Sequence, residues 1–197
     1  MKLIKILSLA LTGALAGGVL AAPEPKTLLD SVQGDWCFFL QPEFVATRLG
    51  GESAQLAGLR FGPSLGRTLY LGWDTYALIS DVDQDNGTSS EVKAFDFWHT
   101  GLSAEYVLFP GQVLHGSLKL LVGGGHLSVE SQDAGSDSAT VFVAAPQASI
   151  MVSLTKTIEL GCGASYRFVN GSNLDRWESS DLSDFAGSVF LRWTEAP

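Results

Sequence analysis

The chain has 197 residues, of which 17% are charged, and a formal net charge of −9 at pH 7. The charged fraction is below the ~25% that is usual for soluble domains, and an acidic chain without a basic stripe excludes a nucleic-acid-binding surface. The length suffices for one domain, and two cysteines are too few for a disulfide scaffold.

Residues 1–21 have the features of a secretory signal peptide. Lys2 and Lys5 precede an apolar run, and Val19-Leu20-Ala21 satisfies the small-x-small cleavage rule. The apolar run is too short and too rich in glycine for a retained transmembrane anchor. We therefore expect cleavage after residue 21, and residues 22–35 to form a short periplasmic lead-in.

Eight segments with alternating apolar and polar residues follow and predict a barrel domain over residues 36–197. Successive side chains of a strand point to opposite faces, so alternation gives each strand one apolar and one polar face. The predicted strands are 36–49, 54–65, 68–79, 95–108, 112–127, 140–154, 157–169 and 184–193. Most exceed the length of about 9–11 residues that a tilted membrane-crossing strand needs.

The connections between the predicted strands alternate in length. Three are tight turns, at Gly66-Arg67, Phe109-Pro110-Gly111 and Thr155-Lys156. Three are long polar loops, over residues 80–94, 128–139 and 170–183. Short turns and longer loops on an even number of strands are typical of outer-membrane barrels. The predicted fold class is all-β, an eight-stranded antiparallel up-and-down transmembrane β-barrel.

Three prolines fall within predicted strands, at positions 42, 63 and 146. Every strand of a closed barrel has two neighbours, and proline has no N–H to donate to either of them. We therefore expect Pro42, Pro63 and Pro146 to lie at bulges or at strand ends.

Alternation alone also permits a soluble, lipocalin-like barrel, which has its apolar face inside. Two features favour lipid outside. The polar face is rich in Gly, Ser and Tyr rather than in the Lys and Glu that cover a soluble sheet. Outward-facing aromatic residues also collect towards strand ends, as in the two girdles of membrane barrels. They are Trp36, Phe38, Tyr106 and Trp193 near one rim, and Trp98, Phe142, Phe168 and Phe185 near the other.

Several stretches resemble a broad group of small bacterial outer-membrane β-barrel proteins of OmpA type, a group largely without assigned activity. They are LAGLRFGPSLGRTLYLGWDTYAL (56–78), GLSAEYVLFPGQVLHGSLKLLVGGG (101–125), LTKTIELGCGASYRFVNG (154–171) and DLSDFAGSVFLRW (181–193). The resemblance implies the barrel fold and a location in the outer membrane of a Gram-negative bacterium, after signal-peptide cleavage. The chain departs from the group at its end, where Thr-Glu-Ala-Pro follows Trp193. Such barrels often end on an aromatic residue that the assembly machinery reads, so this departure concerns the efficiency of assembly and not the fold.

The inward-facing charges are the first candidate site. Four carboxylates and four cations have lumen parity: Glu43, Asp74, Glu105 and Glu159, with Arg60, Lys119, Arg167 and Arg192. An eight-stranded lumen is just wide enough for side chains to fill, and an unpaired buried charge is costly. The pattern predicts a salt-bridged polar filling, with a narrow channel as the alternative.

A second candidate lies on the outward face of the fifth strand. His126 and Ser128 resemble the base and nucleophile of outer-membrane lipid A deacylases, in which His activates Ser. The flanking GGGHLSVES lacks the rest of that pattern. We therefore expect no catalysis and keep a lipid-modifying enzyme as the alternative function.

The third candidate is a group of alternating carboxylates in the longest predicted loop, Asp81, Asp83 and Asp85. Such oxygens suit Ca²⁺ or Mg²⁺. The segment lacks the twelfth-position Glu of a helix-loop-helix site, where Val92 stands instead. A solvated acidic loop is the alternative.

Together these features predict a monomeric outer-membrane barrel with a structural or surface-interaction role. Its expected partners are outer-membrane lipid and lipopolysaccharide. The only cofactor expected is a loosely bound Ca²⁺ or Mg²⁺ at the outer loops.

Overall fold

The structure, a computed structural model, describes residues 34–80, 92–131, 135–171 and 182–196. Eight antiparallel strands follow one another around a closed barrel, and the last pairs with the first. They are β1 (Trp36–Leu49), β2 (Glu52–Leu65), β3 (Leu69–Leu78), β4 (Val92–Leu108), β5 (Leu114–Ser131), β6 (Gly135–Ser153), β7 (Ile158–Asn170) and β8 (Asp184–Thr194). The predicted fold class is confirmed. The predicted signal peptide lies outside the described residues, and no described helix is long and apolar enough to span a membrane.

The two ends of the barrel differ, and we name them by what they carry. The terminal end holds the start of β1, the end of β8 and the turns that follow β2, β4 and β6. The loop end holds the connections that follow β1, β3, β5 and β7. At the terminal end, Gly66 and Arg67 have φ angles of 57° and 54°, and Thr68 N–H donates to Leu65 O at 3.1 Å. Two left-handed residues closed by such a bond form a type I′ turn, whose twist suits a hairpin.

Side chains alternate between a buried interior and an exposed exterior along each strand. In β1 every second residue from Phe39 to Leu49 is buried, and the residues between them are exposed. The exposed set is largely apolar and includes Phe44, Leu102 and Leu118. Apolar residues therefore cover the outside of the barrel between its two rims.

The hairpin of β5 and β6 is longer than predicted, and the expected polar loop over residues 128–139 is wrong. The ladder continues from Ser128↔Ser138 to Ser131↔Gly135 and leaves only residues 132–134 outside the two strands. Polar composition predicted a loop, but the backbone N–H and C=O groups of a polar segment can still pair across the hairpin and extend the ladder. Similarly, β4 begins at Val92, inside the predicted loop 80–94.

The three prolines lie within strands and without bulges, which corrects the expected bulges or strand ends. Each proline faces outward. The ladder to one of its two neighbouring strands has a gap of two residues at the proline, and the register is the same on both sides of this gap. The gaps interrupt β1–β8 at Pro42, β2–β3 at Pro63 and β6–β7 at Pro146. The ladder to the other neighbour runs through unbroken, as in Pro42↔Leu59 and Leu120↔Pro146. Local loss of one ladder, rather than a bulge, accommodates the missing N–H.

Candidate functional site in the barrel interior

The interior is layered along the barrel axis. An apolar cluster at the terminal end consists of Phe39, Tyr70, Val107, Met151 and Phe190. A larger apolar cluster fills the loop end and includes Leu49, Leu56, Phe97, Leu127, Val143, Val169 and Leu182. Most charged and amide side chains lie between the two clusters, and Glu159 and His115 lie beside the terminal-end cluster. The interior is therefore filled by apolar as well as polar side chains.

Glu105 is the centre of the charged layer. Its carboxylate accepts two hydrogen bonds from Arg192 Nη2, at 2.6 and 2.7 Å, and contacts Arg60 Nη1. The guanidinium of Arg192 lies 4.3 Å from the centre of the Tyr70 ring, and that of Arg60 lies 4.9 Å from the Phe39 ring. Two guanidinium groups thus share one carboxylate and stack on the terminal-end cluster, an arrangement that planar, weakly hydrated Arg favours.

Asp74 extends the network from Arg60 to Lys119. Asp74 Oδ1 lies 3.1 Å from Arg60 Nε and accepts a hydrogen bond from Ser103 Oγ at 2.6 Å. Lys119 Nζ lies 3.5 Å from Asp74 Oδ2 and 3.4 Å from Glu43 Oε2. All these residues are buried, so each charge depends on the others for the solvation that water would otherwise supply.

Glu159 continues the network towards the terminal end. Its carboxylate lies 3.6 Å from Arg192 Nη1 and 3.4 Å from His115 Nε2. The other ring nitrogen of His115 is 3.0 Å from the Gln112 carbonyl oxygen, in the turn that follows β4. His115 therefore links this turn to the charged layer. The structure thus joins seven of the eight predicted lumen charges in one connected network.

Arg167 is the eighth predicted charge, and it lies apart from the other seven. Its guanidinium donates to two backbone carbonyls, Leu182 O at 2.9 Å and Arg48 O at 3.2 Å, and lies 5.4 Å from the Phe97 ring centre. No described carboxylate lies within ion-pair distance of it. Arg167 therefore crosslinks the ends of β1 and β7 to residue 182 at the loop end.

A cavity of about 30 Å³ separates Arg167 from the network. Its walls include Glu43, Tyr76, His99 and Lys119. The imidazole of His99 stacks on Tyr76 with 4.9 Å between ring centres, and its Nδ1 has no hydrogen-bond partner among the described atoms. The volume suits one or two water molecules and no larger solute.

Neutral side chains complete the network, and the sequence analysis did not single them out. Tyr76 OH donates to Glu43 at 2.9 Å, Gln147 Nε2 donates to Glu43 at 3.2 Å, and Gln41 Oε1 accepts from Arg192 Nε at 2.8 Å. All three have the same inward parity as the charges. Parity would have placed them in the lumen, but not beside a particular charge, because that depends on the register between strands.

His126 and Ser128 lie on the outward face near the loop end and are partly exposed. Trp98 is the β4 neighbour of His126, with 6.2 Å between ring centres, and Asp96 is the β4 neighbour of Ser128. No described hydrogen bond joins the imidazole to the hydroxyl. The structure thus places the pair on one face without the contact that a nucleophile and its base require.

The predicted cation ligands Asp81, Asp83 and Asp85 lie outside the described residues. Within the described part of the chain, no three His, Cys, Asp or Glu side chains are grouped so that they could hold a metal ion.

Comparison with known proteins gives matches of structure only. No family model and no curated protein matches the sequence. Neisserial surface protein A has a TM-score of 0.56 and 12% identity over 80% of this chain and 96% of its own. The attachment invasion locus protein of Yersinia pestis has a TM-score of 0.47 and 13% identity over 83% of this chain and 99% of its own. A major outer membrane protein from Thermus thermophilus has a TM-score of 0.45 and 11% identity over 80% of this chain and 99% of its own.

The first of these matches shows the fold, and at 12% identity it shows nothing finer. The expected resemblance to small outer-membrane β-barrel proteins is confirmed at that level. The chain has a transmembrane β-barrel fold of the outer-membrane type.

Proposed function

We propose that the protein is a monomeric outer-membrane barrel of a Gram-negative bacterium, with a structural or surface-interaction role and no catalysis. The observation that carries the proposal is the inverted polarity of the barrel. Charges are buried in its interior, while the exterior between the rims is apolar. A soluble barrel has the reverse arrangement, because its outer face must be hydrated.

The exposed side chains support a lipid-facing exterior. Leu102, Leu118 and Ile150 are 65%, 56% and 59% exposed. Large aromatic side chains are exposed near both rims, where amphipathic rings favour the membrane interface. They are Trp36, Phe38 and Trp193 at the terminal end, and Trp98, Phe142, Phe168 and Phe185 at the loop end. In this orientation the terminal end faces the periplasm and the loop end faces outward.

Extraction and gel mobility test the location. Because every strand in a closed barrel is paired on both sides, the folded protein should resist detergent until it is heated. We expect detergent to be needed for recovery from cell membranes, and a different migration of boiled and unboiled samples on a detergent gel. Recovery in the soluble fraction, or one migration for both samples, would contradict the proposal.

The layered filling supports a closed lumen rather than a narrow channel. The two apolar clusters flank most of the charged layer, and the cavity between Arg167 and the network has room for only one or two waters. Vesicles that contain the refolded protein should therefore take up small sugars and salts no faster than empty vesicles. Measured uptake above that of empty vesicles would favour the channel.

The enzyme alternative is tested through lipid A. Because no described contact activates Ser128 through His126, we expect the mass of lipid A to be the same in cells with and without the protein. Loss of an acyl chain that depends on Ser128 would contradict the non-catalytic role.

A further inference from the structure

A row of small outward residues crosses the exterior of β6, β7, β8 and β1, and it runs from the middle of the barrel on β6 to the loop end on β1. Four small outward residues lie side by side across these strands, Ala148, Ala164, Gly187 and Ala46. All four are exposed, and a Cβ added at Gly187 would meet no atom within 4 Å. We call this row the outer groove. Small residues alone do not make a binding site, so its borders decide what the groove could hold.

The border on the terminal side consists of larger apolar residues. The next outward residues along three of the strands are Ile150, Val189 and Phe44, all substantially exposed. Their larger side chains protrude farther from the barrel than the small residues do, and they form an apolar wall along one side of the row. A flexible hydrocarbon chain would bury apolar surface by lying against this wall.

The border towards the loop end is aromatic. Tyr166 meets Phe168 and Phe185 in edge-to-face contacts, with 4.5 and 4.9 Å between ring centres. Phe185 is 71% exposed, the most of any large apolar residue described. These rings lie at the rim, where one side of a ligand would be apolar and the other would be in water.

A cation completes this border. Arg48 is exposed, and the Thr47 hydroxyl beside it donates to Phe185 O at 3.0 Å, which holds the backbone of β1 against β8 at this point. Its carbonyl accepts from Arg167, so its backbone is held from inside the barrel. Among the described side chains Arg48 makes no ion pair, and it is the only outward-facing cation at the loop end.

We propose that the outer groove, its aromatic border and Arg48 bind a phosphorylated glycolipid of the outer leaflet. The three parts follow the order of such a molecule from water to hydrocarbon. A guanidinium pairs with phosphate, rings lie at the level of the sugar, and the groove takes an acyl chain. The inference rests on the outer-membrane location proposed above.

A second copy of the chain fits this surface less well. A stable dimer needs about 1,200–2,000 Å² of complementary surface. The outer groove is one row of residues wide, and its single described cation would need an acidic partner at the matching position on the other barrel. A phosphate-bearing lipid needs only the outer groove for its acyl chain and one guanidinium for its phosphate.

The test compares lipid retention by refolded protein in phosphatidylcholine nanodiscs that contain a minor fraction of bisphosphorylated lipid A. Native mass spectrometry after release from the disc counts retained lipid A. We expect the wild type to retain it in preference to phosphatidylcholine. Arg48→Gln should lower the apparent affinity about tenfold, the effect of losing one charge-assisted hydrogen bond. Ala164→Leu, which fills the groove, should lower it to a similar extent.

Matched controls separate the site from general charge and bulk. Lys156→Gln removes one positive charge at the terminal end, and Ala104→Leu adds the same bulk to an exposed alanine on β4. Both should retain lipid A as the wild type does. Every variant is first checked for the heat-dependent gel shift, so that only folded protein is compared.

Four results would overturn the proposal. They are equal retention by Arg48→Gln and wild type, equal retention by Ala164→Leu and wild type, displacement of the lipid by free inorganic phosphate, and a dimer that crosslinks through β7 and β8. If the wild type shows no gel shift and does not enter the nanodisc, the outer-membrane location itself fails. Insertion without lipid A preference would remove only the glycolipid site.

Discussion

Arg60 is fully buried and contacts the carboxylates of Asp74 and Glu105. Replacing it with Met should lower the free energy of unfolding by about 3–5 kcal/mol, because removal of one partner leaves buried charge uncompensated. Leu118→Ala is the control, since Leu118 is 56% exposed on the outer face and lipid can fill the space it leaves. Urea unfolding in lipid vesicles measures both. Equal midpoints for the two variants would mean that the network is solvated.

The same measurement distinguishes Arg167 from Arg60. Arg167 donates to two backbone carbonyls and has no described carboxylate within ion-pair distance, so Arg167→Met should cost about 1–3 kcal/mol, less than Arg60→Met. Asp74→Asn should recover part of the Arg60→Met loss, because it removes one of the stranded charges. The same Asn substitution should recover nothing in Arg167→Met. Equal recovery in both backgrounds would contradict the assigned pairing.

Parity along each strand was enough to predict that all eight charges face the lumen. Parity could not predict which charged side chain contacts which partner. The partners of Arg167 are carbonyls of residues 48 and 182, which come near it only when β7 and β8 close against β1. The hydrogen bond that Arg192 donates to Gln41 likewise depends on the closing ladder between β1 and β8.

The ends of strands were predicted correctly where the alternation of apolar and polar residues stops. They were predicted poorly where the alternation continues into polar residues. The limits of β1 were predicted correctly because Gly50 and Gly51 interrupt the alternation. The end of β5 was missed because its polar residues continue the alternation beyond the apolar band. At the prolines, the sequence shows that a backbone N–H donor is missing. It does not show which of the two neighbouring ladders is interrupted.

The two parts of β6 should respond differently to loss of one residue. Removing Ser149, inside the apolar band, shifts one side of the strand by a residue and turns its inward side chains, such as Gln147, towards lipid. Removing Ser136, next to the hairpin connection at residues 132–134, moves only the end of the ladder. We expect the heat-dependent gel shift to survive the second deletion and to be lost in the first. Survival of both would mean that the register of β6 is not fixed by burial.

The alternating turn and loop lengths and the even number of segments predicted a closed up-and-down barrel, and the structure has that topology. The layering of the interior could not be predicted in the same way. Phe39, Tyr70 and Phe190 are distant in sequence and meet at one height only because of the stagger between strands. That stagger is a property of the closed barrel rather than of any segment.

The acidic charge of the chain is a second property of the whole molecule. The predicted outer loops carry Asp81, Asp83, Asp85, Glu91, Asp133, Asp175, Glu178 and Asp181 against Arg176, and Glu130, Asp137, Asp184 and Lys93 lie at the loop ends of β5, β6, β8 and β4. In an outer membrane these loops would lie near lipopolysaccharide phosphates, which are also negative. Monovalent salt screens over about 8 Å at physiological strength, so close pairs would still repel each other. Divalent cations bridge carboxylate and phosphate oxygens and would relieve this repulsion.

Calcium binding by the longest predicted loop follows from that charge. Asp81, Asp83 and Asp85 present alternating carboxylates in a turn-rich segment, so we expect weak, saturable binding of Ca²⁺ or Mg²⁺ by the refolded protein. Calorimetric titration with calcium should give less heat for a variant with Asn at all three positions. A control variant with Asn at Asp133, Asp137 and Asp175 loses the same charge from other loop-end positions and should behave as the wild type does. Equal heats from the Asp81, Asp83 and Asp85 variant and the wild type would mean that this loop is a solvated acidic surface. An equal loss of heat in both variants would assign the binding to net charge alone.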